Sequence, residues 1–290
     1  MDKEQLRSLI KGYNKFIEDL SFEKDVAKDD YSKEESEWAE KPLEELGGKT
    51  PAQLAKEIED DCSEEEIKEL YRFATDNSYW SIPGFIKNIM QNVPEATQAC
   101  LSEILDDGER FIKEGAVEKL EEKEIADFEC FVTTLRLAPD FGFEKIDNRI
   151  IELFRGSSEN EEVLDAFQTS FCKMDVSKII PILSDFDLSD EKLSIPAQAI
   201  IETGKKSDEI FYALKKLLKE RDTGTLFAMI LTDYGDGRIV PLMRKQLKKI
   251  SDTYYLMGPD DKNREDVYRL MIYYNNMIRT LGGQTDDIMG

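Results

Sequence analysis

Apolar side chains recur at helical spacing along most of this chain, and the clearest early case lies near its start. A stripe of apolar residues, three or four positions apart, predicts an amphipathic helix over Lys3–Leu20. The stripe consists of Leu6, Ile10, Tyr13, Ile17 and Leu20. No run of alternating β-branched residues is bounded by a hairpin turn. The pattern therefore predicts an all-α fold.

Capping residues and prolines mark where the predicted helices begin. Thr50 stands before Pro51, an order that is typical of a first helical turn. Ser63 stands three positions before Glu66, a capping-box spacing that predicts a helix reaching about Asp76. The later prolines all fall at predicted helix starts or in the joints between helices. They are Pro94, Pro139, Pro181, Pro196, Pro241 and Pro259.

The second half of the chain repeats itself at a nearly constant interval. Four hexamers align without gaps, each offset from the one before by about 30 residues, a period typical of helical solenoids. They are RIIELF at 149–154, KIIPIL at 178–183, EIFYAL at 209–214 and RIVPLM at 238–243. Each follows a polar joint that offers a capping residue, and another apolar helical stretch precedes each joint. The capping candidates are Asp147, Asp175 or Ser177, Ser207, and Asp236. The predicted unit is an antiparallel helix pair, which buries its apolar face only by stacking on neighbours.

These units resemble HEAT-type helical repeats of the short kind seen in many bacterial proteins. Such repeats usually carry Asp near the turn between helices and a basic residue at the start of the second helix. The third unit departs from that pattern, since Glu209 stands at the basic position. The resemblance is good over 128–250 and weaker over 78–127. The matching pairs are Asp147/Arg149, Asp175/Lys178 and Asp236/Arg238.

The resemblance implies a right-handed α-solenoid of antiparallel helix pairs. Residues 78–290 would hold the repeats, with a closing helix over about 263–281, and residues 1–77 would form an N-terminal helical cap. The alternative is a nonrepetitive α-helical bundle with evenly spaced helices. HEAT-like repeats imply an architecture and, loosely, a binding role, but they imply no substrate and no catalytic residue.

Composition excludes several classes of catalytic site and metal site. The 290 residues include no histidine, which excludes Ser-His-Asp and Cys-His catalytic pairs and metal sites with histidine ligands. The four cysteines lack the close spacing of metal or redox motifs, so we expect free thiols with raised pKa values rather than two disulfides. The acidic runs at 57–66 and 118–127 are expected to be solvated helix faces. We therefore expect no cofactor, no metal and no enzymatic activity. The cysteines are Cys62, Cys100, Cys130 and Cys172.

The sequence near the start has charges throughout and lacks the apolar core of a signal peptide. No window approaches the roughly 18 apolar residues that a membrane span needs. We therefore expect a cytoplasmic protein with no membrane partner.

Charge is distributed unevenly. The chain has a net charge of −23, with −11 over residues 1–100, −13 over 101–200 and +1 over 201–290. In the last third, two predicted second helices, one repeat apart, carry cations in register, and such helices generally line the concave face of a solenoid. We name these six residues the basic ladder: Lys215, Lys216, Lys219, Arg244, Lys245 and Lys248. A positive patch on an acidic protein suits an acidic peptide or a phosphate-bearing ligand, and the alternative is that these cations only complement helix dipoles.

Tyrosines cluster near the end of the chain, where a terminal repeat must cover the core. Most are expected to pack as a cap, and the alternative is an aromatic contact surface. They are Tyr254, Tyr255, Tyr268, Tyr273 and Tyr274.

Three functions are compatible with these observations. The leading hypothesis is a non-catalytic scaffold or regulator that binds a protein partner through the solenoid surface. The second is an acidic inhibitor, such as an immunity-type protein that neutralises a basic nuclease or toxin, because residues 1–200 are so acidic. The third is a nucleic-acid-binding HEAT-like protein, which the overall negative charge disfavours.

Overall fold

The protein is all-helical in the part that the computed structural model describes, which is residues 3–22, 32–61, 64–77, 82, 84–113, 115–221 and 225–289. Those residues form sixteen α-helices and six short 3-10 turns, with no β-strand among them. The all-α prediction is confirmed. The chain divides into two compact units, residues 1–170 and residues 171–290. None of the described helices combines the length and the apolarity that crossing a bilayer requires.

Nine helices begin within unit 1, and the last of them ends three residues past the boundary at residue 170. They are α1 Lys3–Ser21, α2 Ser32–Ala39, α3 Pro51–Asp61, α4 Glu64–Asn77, α5 Gly84–Asn92, α6 Pro94–Gly108, α7 Glu122–Leu137, α8 Glu144–Gly156 and α9 Glu161–Lys173.

Unit 2 contains the other seven. They are α10 Val176–Ile179, α11 Asp190–Glu202, α12 Asp208–Glu220, α13 Leu226–Tyr234, α14 Val240–Leu256, α15 Arg264–Thr280 and α16 Asp286–Met289. The closing helix expected over 263–281 is present as α15, whereas the sequence pattern did not reveal α16.

The apolar stripe of the first helix forms part of the unit 1 core. Ile10, Tyr13 and Ile17 are buried, as the spacing predicts. The Tyr13 ring meets the Trp38 ring edge-on, with 5.5 Å between centroids, so α1 packs on α2 through aromatic side chains. Burying each such side chain contributes about 1.5–3 kcal/mol, which is why the stripe determines the orientation of α1.

Four of the predicted capping residues form their capping bonds, and Thr50 and Ser207 are the first two. The Gln53 amide donates to the Thr50 hydroxyl at 3.1 Å, and the Thr50 amide donates back to the Gln53 side chain at 3.1 Å. The Ser207 hydroxyl accepts from the Ile210 amide at 3.2 Å. Ser63 lies outside the described residues.

The expectation that no proline falls within a helix is wrong for Pro196, which lies inside α11. The helix begins before it because the Ser189 hydroxyl accepts from the Lys192 amide at 3.2 Å. Proline cannot donate to the carbonyl one turn back, and its buried ring packs in the core of unit 2 instead.

The four hexamers all lie in helical segments, but their joints differ. Asp175 and Asp236 cap their helices through the amides of Ser177 and Arg238, at 2.9 and 3.0 Å. The expectation that Asp147 caps the first hexamer is wrong, since α8 begins at Glu144 and Asp147 lies within it, 4 % exposed. The second hexamer forms one α-turn followed by a 3-10 turn over Ile180–Ser184.

Candidate functional site

The basic ladder lies on two helices of unit 2. Lys215, Lys216 and Lys219 are on α12, and Arg244, Lys245 and Lys248 are on α14. On α12 the apolar face is buried, which leaves the lysines on the opposite, polar face. The buried side chains of α12 are Ile210, Phe211, Leu214, Leu217 and Leu218. Helix amphipathicity therefore determines which cations face solvent.

Two of the lysines on α12 lie over aromatic rings. The Lys215 ammonium is 5.6 Å from the centroid of the Phe211 ring, and the Lys216 ammonium is 5.1 Å from that of Phe186. The Arg221 guanidinium also lies over Phe186, at 5.5 Å. Cation–π attraction holds the aliphatic stems against the rings and leaves the charges at the surface. No local sequence pattern links Phe186 to Lys216, because the two lie 30 residues apart.

Five of the six ladder residues form no ion pair with a carboxylate of the described chain. Arg244 differs, since its Nη2 lies 3.0 and 2.7 Å from the two carboxylate oxygens of Asp287. Five cations without a carboxylate partner in the described chain thus lie on two helices of a protein in which acids outnumber bases by 62 to 39. The five are Lys215, Lys216, Lys219, Lys245 and Lys248.

In unit 1, by contrast, many cations have carboxylate partners. Arg110 contacts Glu124 and Asp127, each at 3.1 Å. Arg149 contacts Asp106 at 2.8 Å and Glu109 at 2.6 Å. Exposed pairs of this kind stabilise the fold little, but they cancel local positive potential. The five ladder lysines have no such partners in the described chain, so the positive potential around them is not cancelled in this way.

Arg238 connects the beginnings of the two ladder helices. Its guanidinium carbon lies 4.1 Å from the centroid of the Phe211 ring, and its Nη1 lies 2.7 Å from Asp208 at the start of α12. Its Nε and Nη2 bond to Asp236 in its own joint. Away from this junction, α12 packs mainly on α13 and the turn at Ile180–Ser184, and α14 packs mainly on α15. Through Arg238, the start of α12 is therefore linked to the joint that precedes α14.

Exposed apolar side chains accompany the ladder. Tyr212 is 57 % exposed and lies one helical turn before Lys216 on α12. Met229, on the neighbouring α13, is 53 % exposed. Cations and apolar groups together suit a ligand that has both acidic and apolar side chains.

The terminal tyrosines divide between core and surface. Tyr274 is buried and Tyr254 is half-buried, as cap packing requires. The expectation that most of the five pack as a cap is wrong, since the other three are exposed: Tyr255, Tyr268 and Tyr273. The Tyr254 ring lies 5.5 Å from that of Tyr268, so the two helices that carry them meet through aromatic contacts.

A separate cavity of about 510 Å³ lies in unit 1. Its floor includes Ile104 and Phe111, and its rim includes Arg72, Arg110 and Asp127. The rim arginines face carboxylates of the same unit, with Arg110 and Asp127 in direct contact at 3.1 Å, so the rim arginines are largely neutralised. The ladder is the stronger candidate site.

The described cysteines do not have the properties of nucleophiles. Cys100, Cys130 and Cys172 are free thiols, and Cys62 lies outside the described residues. Burial raises the pKa of the Cys100 thiol to about 12. Burial, and then the hydrogen bond from its Sγ to the Glu202 carboxylate at 3.0 Å, raises the pKa of Cys172 to about 12. Both thiols therefore stay protonated at neutral pH, as expected from their apolar and acidic neighbours.

No group of three or more acidic or cysteine side chains in the described ranges is placed to hold a metal ion. No protein-family model, curated protein or solved structure matches this chain.

Proposed function

We propose that this protein is a non-catalytic binding protein, a scaffold or regulator that holds an acidic segment of a protein partner on the basic ladder. The observation that carries the proposal is the set of five ladder lysines without carboxylate partners in the described part of a chain of net charge −23. Like charges within one or two turns of a helix repel one another, so their persistence on α12 and on α14 favours a ligand that neutralises them.

The partner's chemistry follows from the surface. Lys216 offers a charge while Phe186 and Tyr212 offer partly exposed rings. A peptide with carboxylates next to apolar residues satisfies both, because its carboxylates bind the ammonium groups and its apolar side chains cover the rings. Duplex nucleic acid is disfavoured, because the acidic remainder of the protein repels a long row of phosphates.

The architecture we propose is a HEAT-like solenoid over residues 78–290 with a helical cap over 1–77. Its support is the junction at Arg238, which joins the second helices of two successive repeats at their starts through Asp208 and Asp236. A second link joins the same repeats, since the Tyr234 hydroxyl contacts the Ser207 backbone at 3.1 Å. Free thiols in the described chain suit a reducing, cytoplasmic environment.

Selection from a random peptide library with the full-length chain tests the proposal. We expect the recovered peptides to be enriched in acidic residues next to apolar ones, and to bind a Lys15→Glu, Lys113→Glu, Lys262→Glu control normally. The ladder variant, Lys216→Glu, Lys245→Glu, Lys248→Glu, changes the net charge equally and should not retain them. Recovery of peptides without acidic enrichment, or equal retention by both variants, contradicts the proposal.

A further inference from the structure

The strongest clue to what binds beside the ladder is a segment of this chain that already lies there. Helix α16 packs on α14, and within it Asp287 contacts Arg244 at 2.7 Å. The preceding residue, Asp286, contacts Arg279 of α15 at 2.6 Å. Two arginines on neighbouring helices thus each bind one carboxylate of an Asp-Asp pair.

The contact continues past the acidic pair. The Ser251 hydroxyl, further along α14 than Arg244, donates to the backbone carbonyl of Ile288 at 3.3 Å. The segment therefore extends along about two turns of α14, and the Ile288 side chain is half-buried. We name the surface formed by Arg244, Ser251 and Arg279 the arginine ledge.

The segment is fixed at one end and loosely held at the other. Thr285 is fully buried, and its hydroxyl is hydrogen-bonded to Asn275. The side chains of Asp286 and Asp287 are 83 % and 65 % exposed, although both form ion pairs. Exposed ion pairs contribute little and weaken with salt, so the acidic pair can leave the ledge at low cost.

We infer that the arginine ledge is a binding site for an Asp-Asp-apolar peptide of the protein partner, and that residues 285–289 occupy it as an internal competitor. This inference rests on the proposed function, because the ledge shares Arg244 with the ladder. It specifies the sequence motif that the partner's peptide carries. Lys248 lies one turn beyond Arg244, so a longer acidic peptide that displaces the segment reaches the ladder lysines. Because the internal segment occupies the ledge, the partner binds only if its affinity is high enough to displace that segment.

The probe for this inference is a fluorescent hexapeptide of sequence QTDDIM, identical to Gln284–Met289. Its binding to the full-length chain is measured by anisotropy. Asp287→Asn, which removes one exposed ion pair of the internal competitor, should tighten binding about two- to fivefold relative to the unsubstituted chain. Adding Arg244→Gln to that variant should abolish binding, and the peptide QTNNIM should not bind. The matched control Asp260→Asn, an exposed aspartate outside the ledge, should bind as the unsubstituted chain does.

Equal affinity of the Asp287→Asn variant and the unsubstituted chain, or binding that survives Arg244→Gln, overturns the inference. A second measurement uses the unsubstituted chain, so a misfolded variant cannot affect its result. The Ile288 and Met289 amides bond to the Thr285 carbonyl at 2.9 and 3.0 Å. Excess QTDDIM should accelerate their hydrogen exchange, because it displaces the segment. Unchanged exchange at saturating peptide contradicts displacement. The proposed function fails separately, when the triple ladder variant retains the library-selected peptides.

Discussion

Arg238 covers the ring of Phe211, which lies 27 residues earlier in the chain, with its guanidinium carbon about 4.1 Å from the ring centroid. The same guanidinium bonds to Asp236 beside it and to Asp208 at the start of α12. One side chain therefore links the cap of one proposed repeat to the first turn of the preceding one. The bonds to both aspartates raise the pKa of Arg238 above its usual range, so its charge is permanent.

The cap at Asp236 is expected to contribute measurably to stability. Asp236→Ala removes the acceptor for the Arg238 amide and one carboxylate partner of the guanidinium, so the free energy of unfolding should fall by about 0.5–2 kcal/mol. Urea denaturation followed by circular dichroism measures this. Asp260→Ala, in an exposed turn, is the control and should change nothing. An unaltered midpoint for Asp236→Ala would mean that the joint is not where the repeat pattern places it.

That contribution should depend on pH in a defined direction. Hydrogen bonds from Arg238 hold the pKa of Asp236 below its ordinary value of 3.8. A group with a depressed folded-state pKa stabilises the fold above the unfolded-state pKa, and this stability is lost as the pH falls through the folded value. The difference in unfolding free energy between the unsubstituted chain and Asp236→Asn should therefore be constant above about pH 5 and shrink below about 3.8. A difference that grows in acid contradicts the assignment.

Gly108 is required by the packing of α6 against α7. A Cβ placed on Gly108 would lie 1.9 Å from Cδ2 of Phe131, a buried ring in the core of unit 1. Gly108→Ala forces that ring or the helix to move, and overpacking of this kind typically costs about 1–3 kcal/mol. Gly258→Ala is the matched control, because nothing lies within 4 Å of its Cβ position. Thermal melts of the two variants should differ, and identical melting temperatures would exclude this close packing.

The hydrogen bond from Cys172 to Glu202 should suppress thiol reactivity. Glu202→Gln removes the charge that, after burial, raises the pKa of Cys172. Thiolate is the reactive form, so the labelling rate of Cys172 by iodoacetamide at about pH 8 should rise several-fold. Mass spectrometry identifies the labelled residue, and Glu220→Gln, on an exposed turn of α12, serves as control. A rate that is unaffected by Glu202→Gln would mean that burial alone protects the thiol.

Much of the helical architecture was predictable because its signals are local. The stripe through Ile10 and Ile17 and the cap at Ser207 are readable within a few residues. Local signals also mislead, since Asp147 resembles a cap in sequence but lies within α8. The helix begins earlier, because the Phe143 carbonyl accepts hydrogen bonds from the amides of Ile146 and Asp147, at 2.9 and 3.0 Å.

The surroundings of the ladder were not predictable, because they depend on contacts between distant residues. Phe186 meets Lys216, 30 residues later in the chain, and Asp287 meets Arg244, 43 residues earlier. No spacing rule encodes either contact. The sequence identified the cations, and only the tertiary structure shows that Arg244 has a carboxylate partner while its neighbours on the ladder have none in the described part of the chain.

Paired affinity measurements show whether the basic ladder is the partner-binding surface. A library-selected acidic peptide is titrated into the ladder variant, Lys216→Glu, Lys245→Glu, Lys248→Glu, and into the control, Lys15→Glu, Lys113→Glu, Lys262→Glu. Both should stay folded by circular dichroism, since exposed substitutions usually change stability by about 0.5 kcal/mol or less each. We predict that the ladder variant binds at least about tenfold more weakly than the control, with a flatter dependence on salt. Equal affinities for the two variants would show that net charge, not the ladder, governs binding.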